Sequence, residues 1–306
     1  MRHVRTVAEL RSALAPARRA GRTIGLVPTM GALHEGHVSL IRRAREQCDV
    51  VVMTLFVNPT QFNEASDLER YPRDERRDGE LAAQAGADMV FAPGVEEVYP
   101  QGFATSVEVR GVSERFEGEA RGAEHFRGVA TVVTKLLCMA MPDVAYFGQK
   151  DAQQLVVIRR LARDLNLPVR IEALPTVREA DGLAMSSRNV LLSSEERARA
   201  LALPAALAAA RALAAGGERS AAALVEAARE AMRPFAVEPE YVALVDPDTF
   251  APLDALPPGG QGAGEALLAL AARVGAVRLI DNTMISPKAA QTSDQREGKA
   301  MATCSA

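Results

Sequence analysis

Residues 23–57 read TIGLVPTMGALHEGHVSLIRRAREQCDVVVMTLFV, and this stretch decides the fold. Thr23 to Val27 is a short apolar run closed by Pro28, which fits a strand. The loop TMGALHEG leads into a helix from about His37 to Gln47. Residues 50–57, VVVMTLFV, are then continuously apolar and rich in β-branched side chains. That pattern suits a strand buried on both faces of a parallel sheet.

The alternation continues on both sides. Thr6 followed by Glu9 forms a capping box that opens a helix running to about Ala20, where Gly21 stops it. Leu81 to Gln84 lies in a helix and Met89 to Ala92 in a strand. Val129 to Met141 reads as a helix with Val132, Val133, Leu136 and Leu137 inward. Val144 to Phe147 is a strand, Ala152 to Leu165 a helix and Val169 to Leu174 a strand. Strands alternating with helices predict an α/β fold, a doubly wound Rossmann-like parallel sheet, over residues 1–175. Such sheets bind ligands outside the carboxyl ends of their strands, near a switch in strand order. TMGALHEGH, NPTQF and GQKD each come directly after a strand, so all three are expected to face one crevice.

After Pro175 the character changes. Ser193 and Glu196 form another capping box, opening an Ala-rich helix to about Ala215 that Gly216-Gly217 breaks. A helix over Ala221 to Met232 comes next, then short strands over Tyr241 to Val245, Ala266 to Ala272 and Val277 to Ile280. Pro257 to Gly264 reads as a flexible turn. This predicts a smaller α+β domain over residues 176–286. Residues 287–306 are polar and small, and a disordered tail is expected there.

Bulk composition narrows the function. The chain has 306 residues, room for two domains at about 150 residues each. A net charge of -3 gives no electrostatic case for a nucleic-acid partner. Cys48, Cys138 and Cys304 form no C-x-x-C pair and are odd in number, which suggests neither a zinc site nor a disulfide framework. The N-terminus lacks an apolar signal core. No apolar run in the sequence approaches the roughly 20 residues that span a bilayer. A cytoplasmic protein without a membrane partner is expected. Lysine occurs only at Lys135, Lys150, Lys288 and Lys299, so a chemical reason for it is worth seeking.

Four segments carry chemistry. In the first, His34 and His37 flank a helix start with Gly36 between them. Free backbone N–H groups there attract phosphate, and histidines can donate to phosphate oxygens as charge moves toward a leaving pyrophosphate. Gly36 removes a side chain where a base or ribose presses on the backbone. A zinc site and a purely structural pair are the competing readings. In the second, Ser186, Ser187 and Arg188 lie in a Gly-containing loop that can close over phosphates, Arg188 offering a planar fork. A polar interdomain linker competes. In the third, Lys150 stands just past a strand, where its ammonium can neutralise charge on a leaving group. Asp151 is favoured there as a helix cap, and Asp151 or Gln154 can fix a substrate hydroxyl. In the fourth, Pro59 stiffens a turn that presents Gln61 as donor and acceptor to a hydroxy acid. A plain strand-ending turn competes.

The H-x-G-H pattern resembles the nucleotide signature of class I nucleotidylyltransferases, and the Ser/Arg loop looks like the second signature of that superfamily. Together the blocks PTMGALHEGHVSLI, DLERYPRD, HFRGVATVVTKL, YFGQKDAQQ, DGLAMSSRN and RLIDN resemble the pantoate–β-alanine ligase (pantothenate synthetase) family over nearly the whole chain. Glu179-Ala180 stands where many members have Asp-Pro. The resemblance implies an ATP-dependent condensation of pantoate with β-alanine through a pantoyl adenylate, with Mg²⁺. It implies that His34, His37, Lys150, Ser186, Ser187 and Arg188 hold the phosphates. Pro28, Thr29, Met30, Gly31, Gly36, Gly148, Asp151, Val177 and Met185 would complete the ATP site. Gln61, Gln154 and Met30 would bind pantoate, with Val129, Val132 and Val133 around its dimethyl end unless these are plain core. Asp78 or a neighbouring acid would carry or orient Mg²⁺. A homodimer is also implied. A nucleotidylyltransferase of the same superfamily, a tRNA-charging enzyme and a non-catalytic nucleotide sensor are the rival readings.

Overall fold

The computed structural model describes residues 1–62, 68–69, 71–258 and 264–286. The predicted tail, 287–306, and residues 259–263 of the predicted turn lie outside the described residues. In chain order the strands are β1 (Arg2–Val4), β2 (Ile24–Thr29), β3 (Val50–Leu55), β4 (Met89–Phe91), β5 (Val144–Gly148), β6 (Arg170–Leu174), β7 (Pro239–Val245), β8 (Ala266–Val274) and β9 (Val277–Ile285). The helices that matter here are α1 (Val7–Arg19), α2 (Glu35–Gln47), α3 (Glu75–Ala85), α4 (Glu117–Arg121), α5 (Ala123–Ala140), α6 (Ala152–Asp164), α7 (Ser194–Ala200), α8 (Ala202–Ala215) and α9 (Ala221–Met232).

Six strands form a parallel sheet in the order β1-β4-β3-β2-β5-β6. From β2 the chain winds outward through β3 and β4, then crosses back to place β5 on the other side of β2. The reversal between β2 and β5 is the topological switch point, where such sheets bind ligands. The run 50–57 gives a strand with Val51, Val52 and Met53 fully covered, as continuous apolarity requires. The strand β1 escapes the sequence reading, whose first element is the helix opening at Thr6. Three residues are too few to show a period, and pairing with β4 holds them.

The second unit is an antiparallel sheet, β7-β8-β9, covered by α8 and α9. Side chains alternate along β8. Leu268 and Leu270 pack with Leu203, Leu207 and Leu224 of its own helices, while Leu267 and Ala269 join the core of the first unit. The predicted single Ala-rich helix divides at Leu201 into α7 and α8. Pro204, with no N–H to donate, is tolerated because it falls in the first turn of α8. Residues Ser194–Ala215 are long and apolar enough to cross a membrane by length and composition alone. In the fold, Ala200, Leu203, Ala206, Leu207 and Ala210 of that stretch are core.

Candidate active site

The cleft lies at the carboxyl ends of β2 and β5, closed on its far side by β9, and encloses about 260 Å³. The loop after β2 is held by a carboxylate. Gly31 and Ala32 both have positive φ, 92° and 50°, which turns successive amides to one side. Ala32 N–H and Leu33 N–H each donate to the fully buried Asp78 of α3, both at 2.8 Å. A left-handed conformation costs a non-glycine residue about 1–2 kcal/mol. The two charge-assisted bonds offset that cost.

This turn delivers His34 as the N-cap of α2, whose first residue, Glu35, lies two residues before the start given by the sequence reading. Gly36 N–H donates to His34 Nδ1 at 3.1 Å, and His34 N–H donates to His37 Nδ1 at 3.4 Å. A nitrogen that accepts carries no proton, so each neutral ring bears its proton on Nε2. Burial, then the charge of Lys150, lowers the His34 pKa. Burial, then His34, lowers that of His37 to about 3. The rings, 4.2 Å apart between centroids, are thus neutral Nε2–H donors near pH 7. One expectation changes: His34 accepts from Gly36 N–H and its carbonyl from His37 N–H, so these first-turn amides are not open to phosphate. Gly36 is also required from inside, since a Cβ there would lie 2.8 Å from His34 Cε1.

The turn after β5 carries Lys150 and Asp151. Lys150 is largely buried, with its Nζ 3.9 Å from Asp151 Oδ1. The predicted cap is absent: the Asp151 side chain makes no capping bond to α6 and stands in the cleft wall instead. From the opposite unit, Asn282 Nδ2 donates to the carbonyls of Gln149 and Lys150 at 3.0 and 2.9 Å. Its neighbour Asp281, buried, takes both terminal nitrogens of Arg178 at 2.7 and 3.0 Å. The sequence reading ends this strand at Ile280, yet β9 continues through Asp281 and Asn282 to Ile285.

Another wall is built on Asn58, itself 1% exposed. Asn58 Nδ2 donates to Gln61 Oε1 at 3.1 Å and to the Gly128 carbonyl at 3.2 Å, and its Oδ1 accepts from Tyr99 at 2.8 Å. Gly128 is needed where α5 crosses this turn, since a Cβ would meet the Thr60 carbonyl at 2.4 Å. Gln61 Nε2 lies 3.0 Å from Met30 Sδ, linking the first and fourth segments. Val129, Val132 and Val133 of α5 line the same end, and Gln154 faces it from α6. Its neighbour Gln153 points inward and is occupied by Glu117 N–H and by the Val112 and Arg115 carbonyls. His125 Nδ1 lies 2.9 Å from the Gln61 carbonyl, so it donates there and keeps Nε2 unprotonated. Burial, then Arg121, lowers the His125 pKa to about 4.

Ser186, Ser187 and Arg188 line the mouth beside Met185 and Val177. Ser186 Oγ caps a short 3-10 turn through Arg188 N–H at 3.3 Å. Tyr71 faces Ser187, with its pKa raised by burial. Below them Glu117 bonds Arg278 at 2.7 and 2.8 Å, Arg121 at 3.0 Å and Tyr241 at 2.9 Å. Burial pushes its pKa up, but Arg278 and then Arg121 hold it down at about 2.

Of the expected residues, Pro28, Thr29, Met30, His34, Gly36, His37, Gln61, Val129, Val132, Val133, Gly148, Lys150, Asp151, Gln154, Val177, Met185, Ser186, Ser187 and Arg188 all line one cleft. Gly31 is outside it, packed against Leu55 and Asp78 as a turn residue. Asp78 is corrected as a metal ligand: it is buried away from the cleft with both oxygens on backbone amides. Sequence reading missed Tyr71, Glu117, His125, Tyr241 and Asn282. Tyr71, His125 and Asn282 sat inside quoted blocks, but a single polar residue carries no spacing signal.

The chain matches the family model described as Pantoate-beta-alanine ligase over residues 2–284. A pantothenate synthetase of Moorella thermoacetica is 53% identical over 286 residues, 93% of this chain and 99% of that protein. The crystal structure of pantothenate synthetase from Thermus thermophilus is similar with a TM-score of 0.87 at 48% identity, covering 94% of this chain and 100% of that one. The pantoate-beta-alanine ligase from Francisella tularensis, complexed with beta-gamma ATP and beta-alanine, is similar with a TM-score of 0.75 at 31% identity, covering 93% and 97%.

Proposed function

The chain belongs to the pantoate–β-alanine ligase family, and from that premise we infer that its cleft joins pantoate to β-alanine, driven by ATP. In the first step a pantoate carboxylate oxygen attacks the α-phosphorus of ATP, and pyrophosphate leaves. In the second the β-alanine amine attacks the acyl carbon of the adenylate. AMP then departs with the acyl–oxygen bond electrons, and the amine's proton is released. A carboxylate is a poor acyl donor until its oxygen belongs to such a leaving group.

The observation that carries this reading is that one cleft gathers two sets of groups. The two imidazole Nε2–H donors, Lys150 and the Ser186–Arg188 loop suit a triphosphate. Gln61, Gln154 and three valines suit a hydroxy acid with a branched apolar end. We assign phosphate contacts to His34, His37, Lys150, Ser186, Ser187 and Arg188, and adenosine contacts to Pro28, Thr29, Met30, Gly36, Gly148, Val177 and Met185. Met30 also faces pantoate. Magnesium is taken as part of the MgATP substrate. Of the three carboxylates lining the cleft among the described residues, Glu117 and Asp281 are committed to arginines, and Asp151 is the one suited to orient MgATP. Residues 1–175 are read as the nucleotide and pantoate domain and 176–286 as a lid. The working form is taken to be a cytoplasmic homodimer.

The test supplies ATP, Mg²⁺, pantoate and β-alanine and monitors AMP and pyrophosphate. Both products must depend on pantoate; acid-independent ATP breakdown, or binding without turnover, overturns the reading. Lys150→Ala is expected to keep the fold and slow single-turnover pyrophosphate release on the order of 10²–10³-fold. Release at the wild-type rate would remove Lys150 from its role. Sedimentation velocity tests the dimer.

A further inference from the structure

One contact between the two units reaches the turn that carries Lys150 through a single side chain. Asn282 sits on β9 of the second unit, 132 residues beyond Lys150, and is 4% exposed. Both its hydrogen bonds go to backbone carbonyls of the turn that carries Lys150, at 3.0 Å to Gln149 and 2.9 Å to Lys150. Its own Oδ1 is buried and accepts from nothing among the described residues. Buried side-chain acceptors rarely go unpaired. The amide therefore keeps both donor bonds on the turn while its acceptor stays unmatched.

Adjacent bonds fix this geometry. Asp281 Oδ1 accepts from Asn282 N–H at 2.8 Å, and Asp281 is itself bridged to Arg178. Arg178 Nη1 also donates to the Gly182 carbonyl at 3.0 Å, in the segment leading to Ser186–Arg188. Strand β9 thus contacts both the Lys150 turn and the approach to the phosphate loop. The turn's own helix gives it little support, because Asp151 does not cap α6.

We propose that Asn282 is a positioning residue for Lys150, holding the Gln149–Lys150 carbonyls so that the ammonium faces the transferring phosphate only while β9 is seated. The inference rests on the assigned role of Lys150. Displacing a catalytic group by about 1 Å can cost on the order of 10²-fold in rate. Asn282→Asp keeps the shape of the side chain but turns an oxygen toward two carbonyls. Asn282→Ala removes the bonds without adding charge and serves if the aspartate variant does not fold.

The experiment is a kinetic double-mutant cycle on pantoate-dependent pyrophosphate release in a single turnover, with full-length protein. Asn282→Ala is expected to slow release by about 10- to 100-fold, with ATP binding changed less than about threefold. In a Lys150→Ala background the same substitution is expected to cost less than about twofold further, because the group it positions is gone. Equal slowing in both backgrounds overturns the inference, since the effect would then be general loosening. Wild-type release by Asn282→Ala also overturns it, provided Lys150→Ala is slow. If Lys150→Ala itself releases pyrophosphate at the wild-type rate, the role of Lys150 fails, and the inference fails with it.

Discussion

Replacing Asp78 by asparagine separates two readings of a carboxylate beside a nucleotide site. In the structure its two oxygens accept from Ala32 N–H and Leu33 N–H at 2.8 Å, beneath the loop that bears His34 and His37. Asparagine keeps one acceptor and turns an NH₂ group toward the other amide. One charge-assisted bond, worth about 1.5–3 kcal/mol, is lost, and a buried N–H is left unpaired. The positive φ of Ala32 then has less to hold it. A net loss of about 2–4 kcal/mol is expected, together with a weaker grip on ATP as the histidines lose their register. At roughly 2–4 °C per kcal/mol, the thermal midpoint should fall by about 4–16 °C. Melting curves measure the first effect, and ATP titrations at saturating Mg²⁺ the second. An unchanged midpoint with a raised Mg²⁺ requirement would refute the reasoning and return Asp78 to the metal.

The same geometry sets three further outcomes. Gly36→Ala places a methyl 2.8 Å from His34 Cε1, so the fold should survive while ATP affinity falls by about tenfold or more; unchanged binding would show that the ring can move aside without loss. Gln61→Ala should raise the pantoate Michaelis constant and leave ATP affinity nearly unchanged, and an equal loss for both substrates counts against its role. Folding stability should fall as the pH drops below about 6.5. His37 and His125 have folded pKa values of about 3 and 4, so the unfolded chain takes up their protons first and stability is lost toward those values. Thermal midpoints that stay level from pH 7 to pH 4.5 would contradict the buried neutral imidazoles.

The frame of the cleft was legible in the sequence because it depends on apolar periodicity and on the short segment at the end of each strand. Continuous apolarity at 50–57 means burial on both faces, and the segments after β2, β3 and β5 then meet at one edge. The polar support stayed hidden. The resemblance offered Asp78 or a neighbouring acid for Mg²⁺, since a carboxylate among several in sequence does not reveal whether it meets water or two amides some 45 residues away. Asp281-Asn282 looked like the end of a strand, since a buried polar pair breaks the pattern by which strands are found. The partners that make such groups tolerable to bury are distant in sequence.

The histidines show how that hidden support bears on chemistry. From sequence, His34 and His37 could be phosphate donors, zinc ligands or a structural pair. Two backbone N–H groups pointing at the two Nδ1 atoms leave Nε2–H as the outward edge of each neutral ring. A zinc ion needs an unprotonated nitrogen, and here the unprotonated nitrogens face the loop's own backbone. The low pKa values keep the rings neutral, so what they offer the cleft is a hydrogen-bond donor rather than a cation. Lys150 and Arg188 line the same cleft. Loss of the single asparagine that holds the backbone of Lys150 is therefore expected to slow the reaction, though less than the loss of Lys150 itself.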